Sequence, residues 1–443
     1  MPQLLPRLSS VLMLLLVACQ VSAPRSPLAF QPAGVQALNQ AQNLAQARAK
    51  APNKTYRAYF GNLHAHTAYS DGILNPREAY RTAIGNGLDF MAVTEHNHSA
   101  AGGSDGIYLT PERYEDLKKN AREFSQPGKF AALYGQEFST ISSGNHVNVF
   151  NAATIIDVDN GDFKALYEKW LPAHKEVAFV QMNHPNYKRD MGLAEKKAQP
   201  AILMSDDADH KQSEARLLPF GVLKSDLFND YGYDDYNRNF QALAAAANPW
   251  VRSIEILNGP GTNPKPIAKA EAYMEEDYFF YLNQGFKLAP TADQDNHFAH
   301  WGSLHPGRTG VLASELTPAG IYEALRARRV FASEDQNLAV YFTANGQYMG
   351  SELPASGEVK LEVQIIDKDE PQARYLLQIF ADVPGKGTAV PIAQENLNPG
   401  QSQFSFLWRP EPGVENYAFV KITQTNADGS FDDVWTSPVW VGK

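Results

Sequence analysis

The chain has 443 residues, of which 44% are hydrophobic, 20% charged and 11% aromatic, with 31 Gly and 28 Pro. That composition excludes a collagen-like repeat, a coiled coil and a wholly disordered chain, and it supplies a large core. With 39 basic against 49 acidic residues and a net charge of −10, the balance argues against binding duplex nucleic acid. Nucleotides remain possible substrates only if cations lie in the site. The single cysteine leaves no disulfide framework and no zinc–thiolate cluster within one chain.

The first 18 residues read as a lipoprotein signal peptide. Arg7 precedes an apolar run from Val11 to Ala18, far short of the about 20 residues that span a bilayer. Leu16-Val17-Ala18-Cys19 resembles a bacterial lipobox, which predicts cleavage before Cys19 and acylation of that residue. Gln20 follows in place of Asp, a sorting pattern for the outer membrane. The expected protein is therefore an exported bacterial lipoprotein, tethered to the membrane through acylated Cys19. Each buried CH₂ adds about 0.8 kcal/mol to such an anchor. Residues 19–55, rich in Ala, Gln, Pro and Asn, read as a tether.

From Arg57 onward, short apolar runs alternate with helical stretches. Ala58-Tyr59-Phe60 leads a strand into Leu63. Asn75-Pro76-Arg77-Glu78 gives a cap, a proline at the first helical position and an early acid, and Gly85 and Gly87 stop the helix. Strands are predicted over 88–94, 130–138, 146–150, 177–182, 251–257 and 286–291. Helices are predicted over 111–124, 161–170, 236–247, 266–284 and 318–329. Repeated βα units predict a parallel sheet, and seven strands suit a closed barrel over 56–335. The polar and aromatic stretch 188–235, with Phe228, Tyr231 and Tyr233, reads as an insertion or lid.

Beyond about residue 336 no helical period remains. Strand-like runs over 338–342, 359–365, 375–379, 404–408 and 417–422 predict a small all-β sandwich over 336–443. It contains no histidine and reads as a buttress.

All eleven histidines lie between residues 64 and 305, many just past a predicted strand end, where parallel βα barrels build active sites. His64 and His66 are two apart on an extended segment, so both point to one side. Asp71 follows in a turn. Later strands end in Glu95-His96-Asn97-His98, Glu137, Asn183-His184-Pro185 and Asp293-Gln294-Asp295-Asn296-His297, while His146 begins another. One such residue means little, because a strand-end histidine is most often a hydrogen-bonded core group. Nine converging His, Asp and Glu residues predict a cluster of two or three divalent transition-metal ions, with imidazole and carboxylate favouring Zn, Mn or Fe. His174, His210, His300 and His305 read first as ordinary buried or surface groups, with His300 and His305 also candidates to flank the site.

The ordered series GNLHAHTAYSDG, TEHNH, GQEFS, NHVNVF, MNHP and DQDNH resembles the motifs of PHP-domain (polymerase and histidinol phosphatase) metallohydrolases over about residues 57–335. The resemblance implies a distorted seven-stranded βα barrel with up to three metals. It assigns one metal to His64, His66, Glu137 and Asp295, and a second to Glu137, His146 and His184. It assigns the third to Asp71, His96 and His297. The second motif of the family usually reads Asp-His, where this chain has Glu95-His96, and His98 is an additional histidine. The stretch from Arg308 to Gly350 also resembles the secreted branch that contains carbaryl-hydrolase-type enzymes.

These readings predict a metal-dependent phosphoesterase acting on a small phosphate mono- or diester through a metal-bridging hydroxide. His98 or His300 would protonate the leaving group, and Arg308 would clamp a phosphate oxygen. A carbamate, carboxyl-ester or amide hydrolase on the same centre is the alternative. A non-catalytic metal- or ligand-binding surface lipoprotein is the third. No protein partner is expected.

Overall fold

The computed structural model describes residues 55–97, 108–138, 146–159, 165–185, 246–259, 261, 263–370 and 372–442. All of them fall in one compact unit, Asn53–Lys443. The predicted signal peptide, Cys19, the tether up to residue 54, His98, His210 and the insertion at 188–235 lie outside the described residues.

In chain order the elements of the first part are β1 (Arg57–Asn62), α1 (Pro76–Gly85), β2 (Phe90–His96), α2 (Pro111–Phe124), β3 (Ala131–Phe138), β4 (Val147–Phe150), β5 (Phe179–Met182), β6 (Val251–Asn258), β7 (Ala272–Tyr273), α3 (Glu275–Asn283), β8 (Ala289–Ala292), β9 (Arg308–Ala313), α4 (Pro318–Arg326) and β10 (Val330–Ser333). The second part is all strand: β11 (Ala339–Ala344), β12 (Gln347–Tyr348), β13 (Glu352–Leu353), β14 (Val359–Ile366), β15 (Arg374–Asp382), β16 (Val390–Leu397), β17 (Gln403–Trp408), β18 (Asn416–Thr425), β19 (Phe431–Thr436) and β20 (Val439–Val441).

Helix starts follow local chemistry. The Asn75 side chain accepts from the Glu78 N–H at 3.2 Å ahead of Pro76, and Thr110 and Thr317 cap α2 and α4 ahead of Pro111 and Pro318 in the same way. One helix is shorter than predicted. Residues 263–271 form turns, not helix, because Pro264 and Pro266 withhold backbone donors. The chain then enters β7, which pairs with β6. Of the stretch predicted helical over 161–170, residues 165–170 are described and are helical, π-type over Leu166–Trp170, and the helix runs on through Leu171–Ala173.

The protein is mixed α/β with large sheets. β1, β2 and β3 are parallel, as are β5, β6 and β8. The uniformly parallel order expected from the βα repeats is broken at β4, which is antiparallel to both β3 and β5. Eight residues separate β3 from β4 and none is a described helix, and a connection so short suits an antiparallel neighbour. β9, not predicted as a strand, lies antiparallel to β1. Among the described residues β8 and β9 share no ladder but meet through Thr309. Its Oγ1 accepts from the Ala292 N–H at 3.0 Å and sits 3.1 Å from both the Ala292 carbonyl and Asp293 Oδ1.

The same sheet continues past β9 into the second part, because β10 pairs with both β9 and β19. β11, β12, β14 and β17 form a second sheet. Between the layers lie Val340, Phe342, Leu361, Val363, Leu377, Ile379, Val420 and Ile422, with Leu312 and Phe331 from β9 and β10 in the same apolar cluster. Alternating burial along β15 reflects this one-sided packing. α3 docks on the C-terminal strands: the Tyr278 hydroxyl donates to the Thr436 carbonyl at 3.1 Å, and Glu275 Oε1 accepts from Trp435 Nε1 and Lys421 Nζ at 2.7 Å each. These contacts brace the β6–β8 side of the sheet, from which two strand ends reach the site.

Candidate metal centre

Beneath the centre, the interior is a buried polar belt. Asn62, Asn148, Gln181, Asn183, Ser253, Glu255, Thr291, Asp293 and Thr309 are all at most 2% exposed. Buried polar groups require partners, and here the partners fix strand ends. Asp293 accepts from the Leu63 N–H at 2.7 Å and from Gln181 Nε2 at 2.9 Å. Burial together with nearby Glu255 pushes its carboxyl up to about 6, against the hydrogen bond from Leu63.

Above that belt, His64 Nε2 and His66 Nε2 stand 3.1 Å apart. Asp295 Oδ1 lies 3.1 Å from each, and Glu137 Oε1 and Oε2 lie 3.2 and 3.3 Å from His64 and His66 respectively. Ligands about 2.0–2.1 Å from a tetrahedral ion are about 3.3 Å from one another, so this spacing fits one transition metal. The tautomers agree: His64 Nδ1 lies 2.7 Å from Glu255 Oε1, and His66 Nδ1 lies 3.2 Å from Ser70 Oγ, whose own proton goes to Glu95. With both Nδ1 atoms donating, both Nε2 atoms are aimed at the two carboxylates, where they hold either a proton or an ion. A cation fits that arrangement.

Glu137 is the hub. Its Oε1 also lies 3.1 Å from His146 Nδ1, 3.2 Å from His184 Nε2 and 2.9 Å from Asn183 Nδ2, and its Oε2 lies 2.9 Å from His96 Nδ1. The third group gathers on Asp71, which stands 3.2 Å from His297 Nε2 and 3.6 Å from His96 Nε2. The His297 Nδ1–H donates to the Asp295 carbonyl at 2.7 Å, which aims its Nε2 inward. The His66 ring is stacked between His96 and His297, with centroids at 4.4 and 4.3 Å. All nine residues proposed as ligands from the sequence thus lie in one connected cluster. Sets able to hold an ion include His64 with His66 and Glu137, His96 with Glu137 and His146, His64 with His184 and Asp295, and His66 with Asp71, His96 and His297.

The charges respond to one another. Burial alone would lower His66, but hydrogen bonds to Asp295 and Glu137 outweigh it and push it up to about 10. Burial opposes a charge on His64 too, yet Asp295 and Glu137 hold it well above the imidazole range. Burial would raise Glu137, but His64, His96 and His146 keep it well below the carboxylate range. His96 goes the other way, to about 4, because burial and the His66 charge exceed the pull of Glu137. Four cluster groups remain partly open to solvent: Asp71 at 24%, His184 at 19%, Asp295 at 17% and His297 at 10% of their side-chain surface. They mark the side of the cluster that is open to solvent.

Two expected functional groups are occupied elsewhere. Arg308 donates to the carbonyls of His305, Pro306 and Gly307 at 3.0, 2.8 and 2.9 Å and to that of Gly302 at 2.6 Å. It ties the 302–307 turn, which corrects the expectation of a phosphate clamp. Both nitrogens of His300 are engaged, by Asn296 Nδ2 at 2.9 Å and the Asn263 carbonyl at 3.1 Å, so it lacks the free nitrogen that a proton donor needs. His305 Nε2 is bound to the Asp293 carbonyl.

The structure also brings forward carboxylates that the sequence did not place. Glu95 is not aimed at the cluster centre. It accepts from the Thr67 N–H and from the Thr67 and Ser70 hydroxyls, and so holds the turn between His66 and Asp71. Glu255 supports His64 from behind. A lone acid set among Ile254, Ile256 and Leu257 in the strand VRSIEILN was the available signal.

Residues 62–217 match the family model of the PHP domain. The match stops short of Asp295 and His297, which join the centre through β8. A protein of Chlamydia trachomatis serovar D with no assigned function is 20% identical over 360 residues, covering 75% of this chain and 50% of its own, so the chain spans about half the length of that relative. Among solved structures, a two-domain protein of Bacteroides vulgatus named for a PHP-like metal-dependent phosphoesterase aligns with TM-score 0.42 and 17% identity, over 85% of this chain and 93% of that one. A Bifidobacterium adolescentis protein named for a metal-dependent phosphoesterase aligns with TM-score 0.25 and 15% identity, over 54% and 88%.

Proposed function

We propose that this protein is a metal-dependent hydrolase of small phosphate mono- or diesters. The observation that carries the reading is the convergence of His64, His66, Glu137 and Asp295 at mutual distances of 3.1–3.3 Å with both imidazole tautomers fixed. In this reading those four residues hold one ion. Glu137 with His146 and His184 holds a second, and Asp71, His96 and His297 a third, with Zn, Mn or Fe suited to the donor set. Ions bound there would supply Lewis acidity, a water of lowered pKa and positive charge against the phosphoryl oxygens.

The chain's own groups set the rest. Glu255, Ser70 and Glu95 hold the imidazoles in the ligating tautomer, and the buried belt excludes bulk water from below. The solvent-open side formed by Asp71, His184, Asp295 and His297 admits the ester. His98, two residues beyond His96, is the proton donor to the leaving oxygen. The fold belonging to this reading is a distorted seven-stranded βα barrel over 56–335 buttressed by a β-sandwich domain over 336–443, in the secreted branch with carbaryl-hydrolase-type enzymes. The lipobox supports export and outer-membrane anchoring through acylated Cys19.

A rate panel tests this. The full chain, loaded with Mn, Zn or Fe, is assayed on nitrophenyl phosphate, bis-nitrophenyl phosphate and nitrophenyl acetate beside His64→Ala and His66→Ala. Turnover of a phosphate ester that both variants lose supports the proposal and says which ester class is used. Turnover of the acetate alone moves the chemistry to the carbamate or carboxyl-ester class. Metal binding without any turnover favours a binding protein.

A further inference from the structure

Glu255 faces away from the centre, yet it holds two of the residues that form it. The side chain is fully buried on β6. Its Oε1 lies 2.7 Å from His64 Nδ1, and its Oε2 accepts from the His184 backbone N–H at 2.5 Å and from Asn258 Nδ2 at 2.9 Å. His64 and His184 meet again on the far side, each with Nε2 at 3.2 Å from Glu137 Oε1, and their rings stack at 5.5 Å. Glu255, His64, Glu137 and His184 therefore form a closed circuit of contacts.

His184 needs that support. It has a φ of +26° and precedes Pro185, a backbone state that a side-chain-bearing residue keeps only when its surroundings impose it. We propose that Glu255 is a shared positioning residue that orients His64 and His184 together, so that one carboxylate sets two metal positions at once. This rests on the metal reading above. Glu255 never touches an ion; it acts by fixing the His64 tautomer and the His184 backbone.

Glu255→Gln tests it, because an amide keeps the volume but must turn a donor either toward His64 Nδ1 or toward the His184 and Asn258 N–H groups. The stepwise binding isotherm of Co²⁺ to the metal-free full chain is recorded with its visible absorption spectrum, beside the melting temperature of the metal-free protein. The expected result is a joint loss of about 10- to 100-fold in affinity at the two positions that use His64 and His184. The Co²⁺ spectrum changes with that loss, while the Asp71–His96–His297 position keeps its affinity even though the metal-free melting temperature falls modestly, a donor now facing donors. Glu255→Asp, which keeps the charge with a shorter reach, is expected to fall between wild type and Glu255→Gln. Wild-type affinity at every position overturns the proposal, as does loss at one of the two positions only. Equal loss at all three with a lower metal-free melting temperature also overturns it, since that marks a structural role. A wild-type chain that binds no Co²⁺ overturns the metal reading itself, a different result from unchanged affinity in the variant.

Discussion

His64 and His66 present their Nε2 atoms to one another at 3.1 Å inside a fully buried pocket. Two lone pairs cannot remain that close unless positive charge lies between them. Without metal, that charge is a proton, and Asp295 and Glu137 keep it there. Burial opposes protonation of His66, but those carboxylates carry it from the ordinary 6.5 up to about 10.

A pH dependence with a definite sign follows. A folded-state pKa raised above its unfolded value contributes stability that is full below 6.5 and is lost as pH rises through about 10. The metal-free protein is therefore expected to lose stability across that window, read by denaturant titration at fixed pH. Metal must displace the same proton, so its apparent affinity should rise about tenfold per pH unit for each proton released. Chelator competition from pH 6.5 upward measures this, and a flat profile would contradict the proton–metal exchange.

Glu95 gives a second prediction. As a carboxylate it only accepts, and its partners Thr67 and Ser70 only donate to it. Glu95→Gln brings a donor against donors and should cost about 1–3 kcal/mol in stability. It should also weaken metal at the Asp71–His96–His297 position, since the Thr67–Ser70 turn leads into Asp71. Unchanged melting and unchanged metal content would remove Glu95 from that role.

Gly261 tests the loop behind Asp295. A Cβ at that position would stand 1.4 Å from the Asp295 carbonyl oxygen and 2.5 Å from the Asn296 Cα, and Asp295 itself has a φ of +48°. Gly261→Ala must push the Asp295–His297 segment inward or outward. The expected cost is about 1–3 kcal/mol together with loss of the ions bound by Asp295 and His297, measured by thermal melting and elemental analysis. A variant that melts and loads like wild type would show that this loop does not set the ligands.

Arg308 separates structure from catalysis. Its guanidinium is spent on the carbonyls of Gly302, His305, Pro306 and Gly307, so Arg308→Met should lower the melting temperature and leave kcat/KM of the folded fraction near wild type. A wild-type melting temperature with a large rate loss would restore the phosphate-clamp role.

How far the sequence exposed the site depends on chain locality. The pair His64 and His66 was legible because both sit two apart on an extended segment, and Asn75-Pro76 marked the next helix by capping chemistry alone. Asp295 was chosen over Asp293 by motif spacing, and the structure turns Asp295 toward the two imidazoles while Asp293 accepts from Leu63 and Gln181. Glu255 was not legible, because its meaning lies in contacts to His64 and His184, 191 and 71 residues away in the chain. The roles expected of Arg308 and His300 failed for the same reason: sequence shows that a side chain can donate but not which neighbour has already taken the proton. The antiparallel β4 was hidden because a short apolar run carries no direction, and β16, at the exposed end of its sheet, lacks an apolar face to announce it.

The bridging position of Glu137 offers the most direct test of the centre as a whole. The measurement is the number of divalent ions per folded chain, by elemental analysis after loading and gel filtration, for wild type and Glu137→Ala. The expected result is more than one ion per wild-type chain and the joint loss of at least two in the variant, because Glu137 faces His64, His146 and His184 through one oxygen and His66 and His96 through the other. A wild-type chain that emerges without metal, or a variant that keeps its full complement, would contradict it.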